Sequence, residues 1–299
     1  MSSLHELANR CEKALLNCQL PCGGWTYGHS HQWATEPTAL ALLALRLQPR
    51  ANCKKGTSFL ESCQRPDGSW PAFEGDGEGS WATALAIIAL ARLGGNWSRV
   101  QRGVAWLLKV RGQESHWSAK WRYRLFDRHV RFDPDKYGWP WTQGAASWIV
   151  PTSYSLIALR LAFGCCLPPA VKERIDNGTA MLFDRGCPGG GWNAGNGMAF
   201  DVPLEPHIDV TSLALLALLP FREDLFVKKS LTWLQRELPF LVSTDRLCWA
   251  IVALAAYKCD THSTKEKLAE LSDEMFNPDP EVGSLLLLAI QALRGASPF

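Results

Sequence analysis

The residues of this chain best suited to chemistry stand just ahead of long apolar segments. Asp209 lies two residues before Thr211, in the run His207-Ile208-Asp209-Val210. A carboxyl group at such a place stays protonated when an apolar cavity surrounds it, and then serves as a general acid, with His207 tuning it. Trp33, Trp81, Trp148, Tyr154 and Trp249 also fall at or near the starts of apolar segments. There a ring face stabilises a cation through its quadrupole. Every one of these residues suits a purely structural use as well. Asp209, like Glu36 two residues before Thr38, is placed to accept N–H bonds from a first helical turn, and large aromatics plug a core.

The elements that must position them come from a repeat. Six versions of one apolar octapeptide run through the chain: TALALLAL from Thr38, TALAIIAL from Thr83, TSYSLIAL from Thr152, TSLALLAL from Thr211, LCWAIVAL from Leu247 and GSLLLLAI from Gly283. Each is apolar on nearly every side, the pattern of a helix buried all round, and each is too short to span a bilayer. Between them lie amphipathic stretches, 4–18, 52–63, 98–110, 169–183, 224–238 and 264–275. Alternating buried and amphipathic helices hide their apolar partners by closing into a ring. The prediction is an all-α fold, an α6/α6 toroid in which residues 1–299 form a single domain.

Composition narrows the partners. A net charge of +2, with no basic helix face, gives no reason to expect nucleic acid. The first residues read as an amphipathic helix without the basic start and apolar run of a secretory signal, which predicts a cytoplasmic protein. Of the ten cysteines, Cys11, Cys53, Cys63, Cys248 and Cys259 fall inside predicted helices, where a free thiol behaves as a small apolar residue, so no disulfide framework is expected.

The turns after the outer helices add a second repeat: QLPCGGW from Gln19, QRPDGSW from Gln64 and the looser GCPGGGW from Gly186. Glycine permits the backbone angles of the turn, Gln bonds a free backbone group at the helix end, and Trp covers the gap between hairpins. This turn, followed by a Thr-led apolar helix, resembles the QW motif of squalene-hopene and oxidosqualene cyclases, within the wider terpenoid cyclase and protein prenyltransferase superfamily. The resemblance covers nearly the whole chain. It implies an enzyme that holds an isoprenoid in an aromatic-lined cavity and steers carbocations, and fourteen tryptophans supply matching material. Class II terpene cyclases carry a D-x-D-D motif at the start of an inner helix, whose middle acid protonates an alkene or epoxide. The corresponding segment here is 207–210, which keeps only Asp209 of that motif.

The prenyltransferase β-subunits, the other branch, use a zinc ion held by Asp, a Cys two residues on, and a later His. The nearest set here is Asp245, Cys248 and His262. The spacing departs from that pattern, and His262 falls on a predicted outer helix. His29 and His31 near Cys22 are ligand types without a zinc arrangement. No metal and no cofactor is expected.

Residues 112–146 read as one long connection, and connections of this length tend to be functional. From Ser115 to Arg131 it carries Lys120, Arg122, Arg124, Arg128 and Arg131 against the single acid Asp127, interleaved with Trp117, Trp121 and Tyr123. Such a strip holds a diphosphate by forked hydrogen bonds, with Arg122, Arg124 and Arg128 as its candidate residues, or forms a solvated flap. Asp133 and Asp135 lack the spacing of a magnesium cluster, and Gly189 to Gly197 lacks the Lys and Ser/Thr of a phosphate loop.

The leading expectation is therefore a terpenoid cyclase-like toroid that binds an isoprenoid or triterpenoid-like hydrocarbon and starts its cyclisation or isomerisation with an acid. Asp209 is the expected acid and His207 its partner. Trp33, Trp81, Trp148, Tyr154, Trp249 and Glu36 are the expected substrate contacts. A partner subunit or homodimer completing the cavity, and peripheral membrane contact, are compatible with this reading. The alternatives are a non-catalytic lipid-binding or protein-interaction toroid, favoured by the incomplete acid motif, and a prenyltransferase β-subunit-like protein.

Overall fold

A helix that is apolar on all sides has no face to offer water, so such helices bury one another. A computed structural model describes residues 4–28, 30–125, 132–274, 279–297 and 299. The six octapeptides fall in α2 (Thr35–Leu45), α4 (Ala82–Leu93), α7 (Ile149–Phe163), α9 (Ile208–Ala217), α11 (Thr244–Ala256) and α13 (Pro280–Leu293). Each packs on the next, and α13 packs on α2, which closes the ring. Outside it stand the amphipathic α1 (Leu4–Asn17), α3 (Lys54–Ser62), α5 (Trp97–Lys109), α8 (Pro169–Asp184), α10 (Leu225–Glu237) and α12 (His262–Glu274). One more helix, α6 (Trp117–Leu125), belongs to the long connection. The architecture is the all-α, α6/α6 toroid that the alternating pattern predicts.

One set of bonds joins neighbouring hairpins at four places among the described residues. The indole N–H groups of Trp25, Trp70, Trp139 and Trp192 donate to the carbonyls of Leu15, Leu60, Leu107 and Leu182 at 2.8, 2.7, 2.8 and 2.6 Å. Those leucines sit near the ends of α1, α3, α5 and α8, where carbonyls have no partner within the helix. The backbone N–H groups of the same tryptophans donate to the hydroxyls of Thr38, Thr83, Thr152 and Thr211 at 2.9, 2.9, 3.0 and 2.9 Å. Each tryptophan thus ties the end of one outer helix to the first turn of an inner one. The indoles of Trp25, Trp70 and Trp139 lie against Gly56, Gly103 and Gly178 of the following outer helix, where a Cβ would stand 3.0, 2.9 and 2.7 Å from the ring.

The sequence pattern finds three of these turns and reads 112–146 as a single connection. The structure divides that segment into a short 3₁₀ turn (Gln113–Ser115), α6 and a fourth tryptophan turn at Trp139. Trp139 precedes its threonine by 13 residues, as Trp25 and Trp70 do. Its leucine, however, lies 32 residues back instead of 10, because the insertion comes between them. The insertion is anchored by a buried ion pair, Glu114 to Arg185 at 2.6 Å. Glu114 also accepts the Ser147 N–H, and Arg185 donates to the Ser147 carbonyl at 2.7 Å. The second insertion, between Trp192 and Thr211, forms a small antiparallel hairpin pairing Met198–Ala199 with Val202–Pro203.

Candidate functional site

Since every inner helix is preceded by an outer one that runs back along the ring, the inner helices run the same way and start at one end of it. The residue two before each octapeptide lies at that end. In ring order these residues are Glu36, Trp81, Val150, Asp209, Asp245 and Glu281. Because α13 closes on α2, the four acids stand on consecutive helices and form an acidic arc. Trp81 and Val150 make up the rest of the mouth.

Within the arc, Glu36 Oε2 accepts the Tyr27 hydroxyl at 2.5 Å. Desolvation outweighs this bond and, with the charge of Glu281, raises the Glu36 carboxyl from 4.5 to about 7. Glu281 is raised in the same direction, by burial first and then by Asp279 and Asp245. Tyr154 is wholly buried, and its hydroxyl is pushed well up by burial and then by Glu36, Glu281, Tyr27 and Asp209 in that order. One tyrosine therefore feels three carboxylates and a second tyrosine at the mouth. Asp245 is exposed and accepts the Ser243 hydroxyl.

Aromatic rings run inward from the arc. Trp81 meets Trp141 edge-on at 4.8 Å and stacks on Tyr154 at 5.9 Å. Tyr154 meets Trp249 at 6.4 Å, and Trp249 stacks on Phe299 at 6.1 Å with the rings 6° from parallel. Tyr154 and Trp249 stand on α7 and α11, which are separated in the ring by α9, so their contact crosses the interior. Phe299 also lines a cavity of about 270 Å³ near the C-terminal ends of α4 and α7, together with Arg92 and Arg160.

The structure thus gathers Glu36, Asp209, Trp81, Tyr154 and Trp249 from the sequence expectations and places the others elsewhere. Trp33 packs edge-on against Phe59 of the outer helix α3, at 5.3 Å. Trp148 is exposed beside Gly195. His207 Nε2 is 3.3 Å from Asn193 Nδ2, and no hydrogen bond joins His207 to Asp209 among the described residues. Arg122 is exposed and lies over the Tyr123 ring at 5.3 Å. The Arg124 side chain and Arg128 lie outside the described residues. The capping use of the two acids is not the one the structure makes. Glu36 and Asp209 are the second residues of their helices, and neither carboxylate accepts a backbone N–H among the described residues.

Of the zinc-type residues, Cys248 is fully enclosed, and burial holds its thiol well above the usual range. Among the described residues no three His, Cys, Asp or Glu side chains are grouped to hold a metal ion. Nor is any described helix long and apolar enough to cross a membrane.

Sequence reasoning missed Tyr27, Glu281, Trp141 and Phe299. For Glu281 a signal was present: it stands two residues before Gly283, the register that Glu36 and Asp209 hold before their threonines. The sixth octapeptide lacks the leading Thr that marked four of the others. Tyr27, Trp141 and Phe299 belong to turns and a tail, and no periodicity points to them.

No protein-family model matches the chain. An alignment of 130 residues, covering 38% of the chain, is 26% identical to protostadienol synthase A of Arthroderma gypseum and spans 18% of that protein. A variant of the type II terpene cyclase MstE from Scytonema, solved in complex with its substrate geranylgeranyl dihydroxybenzoate, superposes with a TM-score of 0.58. That match has 16% identity and covers 95% of this chain and 78% of the cyclase chain. A glycosidase variant superposes with a TM-score of 0.60 at 11% identity over 97% of both chains. One toroid thus serves unrelated chemistries. In fold, the chain is an α/α toroid of the kind found in the terpenoid cyclases.

Proposed function

We propose that the chain is a terpene cyclase-like protein that takes an isoprenoid at the mouth of its inner ring and starts the cyclisation or isomerisation by protonating an alkene. The observation that carries this reading is Glu36, a carboxyl raised to about 7 and bonded to Tyr27, at a mouth shared with aromatic faces. Near neutral pH a substantial fraction of such a group is protonated and able to donate. In the initiating step the Glu36 O–H bond breaks, its proton adds to one alkene carbon, and the cation forms on the other. A neighbouring alkene closes the ring, and proton loss or water capture ends the sequence. Trp81, Trp141 and Tyr154 offer ring faces to the cation, and the carboxylates of Asp209, Asp245 and Glu281 favour positive charge at the same mouth. Asp209, the acid expected from the sequence, takes this supporting role.

The reading also places the protein in the cytoplasm, supported by cysteines that carry no disulfide among the described residues. Assay with squalene, geranylgeranyl diphosphate and a geranylgeranyl-substituted aromatic, followed by mass spectrometry of the extracted products, tests the function. Cyclised product from the native chain, lost in Glu36→Gln and only reduced in Asp209→Asn, is the expected result. Loss in Asp209→Asn with full turnover by Glu36→Gln returns the acid role to Asp209.

A second reading, a toroid that binds a lipid or a partner chain without turnover, is favoured by the aromatic column that occupies the interior from Trp141 to Phe299. A polyprenyl lipid recovered by solvent extraction of the purified protein, with no product from any of the three substrates, selects it.

A further inference from the structure

Away from the ring mouth, the turn between α7 and α8 carries two adjacent cysteines, Cys165 and Cys166. Both are exposed, and their Sγ atoms stand 4.0 Å apart. Neither lies within a helix: α7 ends at Phe163, Gly164 turns the chain at φ +56°, and α8 begins at Pro169. A Cβ on Gly164 would meet nothing within 4 Å, so the turn has room to adjust. The other cysteines differ in setting. Cys11, Cys187 and Cys248 are buried, and Cys18, Cys53, Cys63 and Cys259 are half-buried with their thiols raised by burial. Cys22 is exposed as well, but it has no adjacent cysteine in the chain.

We propose that Cys165 and Cys166 form a reversible two-electron redox site that closes to a vicinal disulfide, with a hydroperoxide as the oxidant. One thiolate attacks a peroxide oxygen, the O–O bond breaks, and the sulfur becomes a sulfenic acid, with release of water when hydrogen peroxide is used. The second thiol then attacks that sulfur, expelling its oxygen as a second water. Two S–H bonds and one O–O bond are replaced by one S–S bond and two molecules of water.

Adjacency decides what kind of disulfide this is. Neighbouring Cα atoms are about 3.8 Å apart across a trans peptide, short of the roughly 4.4–6.8 Å of ordinary disulfides. The closed ring is therefore strained and readily reduced, the property of a switch and not of a structural staple. Its sulfurs, next in sequence and open to solvent, also suit a trivalent arsenical, which bonds two thiols at once.

The test treats the full chain with hydrogen peroxide and maps its peptides by mass. The peptide bearing Cys165 and Cys166 is expected to lose two hydrogens and regain them with dithiothreitol, while peptides bearing Cys11, Cys187 and Cys248 stay unchanged. In Cys165→Ser, Cys166 instead stops at a sulfenic acid that dimedone traps. One equivalent of phenylarsine oxide is expected to shield Cys166 from peroxide in the native chain but not in Cys165→Ser. Oxygen addition to each sulfur without hydrogen loss, disulfide-linked dimers through either cysteine, or arsenical protection that persists in Cys165→Ser would each overturn the proposal. An unchanged circular dichroism melt verifies that the variant is folded.

Discussion

A carboxyl group that burial strips of water, in a mouth it shares with other acids, holds its proton more tightly than it does in the unfolded chain. For Glu36 the rise runs from 4.5 to about 7, so between those values the folded protein binds more protons than the unfolded one. The linkage relation then makes stability fall as pH rises through this window. The contribution of Glu36 is complete below 4.5 and lost as pH passes about 7, and Glu281, raised in the same direction, adds to it. Thermal melts across the window are expected to show a declining midpoint in the native chain and a flatter profile in Glu36→Gln. A slope unchanged by the substitution would show that Glu36 titrates normally. Residue chemistry of this kind was only partly legible in the sequence. Asp209 and Glu36 declared themselves by their distance from a threonine. That Glu36 and Glu281 act on one another depends on ring closure, which sets the first inner helix beside the last and which no local pattern records.

At the scale of elements, the tryptophan turns explain why the repeat reads so clearly. Indole, leucine carbonyl and threonine hydroxyl must meet, so their residue types recur in register wherever a hairpin joins its neighbour. Thr83→Val keeps the shape of the side chain but leaves the buried N–H of Trp70 without its acceptor. The expected loss is about 1–3 kcal/mol, measured as a lower urea midpoint with an unchanged denaturant slope. No change in midpoint would mean that the hydroxyl contributes nothing to the join. Three of the turns were legible because glycine, and in two of them glutamine, stands at a fixed distance from the tryptophan. Trp139 escaped notice because Asp133 and Tyr137 stand where the first two turns have glutamine and glycine, although its 13-residue spacing to Thr152 was there to be counted.

Across the whole molecule, the octapeptides specified the ring, since helices without a polar face have few other ways to pack. What fills the ring is not legible: Trp249 is an expected substrate contact, and its stacking partner Phe299 lies far along the chain. Trp249→Ala is expected to cost about 3–5 kcal/mol through the cavity it opens. Lined by the rings of Tyr154 and Phe299, that cavity is expected to take up xenon or benzene, detectable as a rise in melting temperature with dissolved ligand. A variant as stable as the native chain, and indifferent to both, would show that the column does not support the ring. The tryptophan turn has a further consequence for how such a chain can diversify. Segments have entered on either side of it, between Leu107 and Trp139 and between Trp192 and Thr211, and its bonds are the same as where nothing has entered. A join that tolerates new sequence on both flanks works as a socket, so loops can be exchanged at the rim of the ring without renegotiating its core.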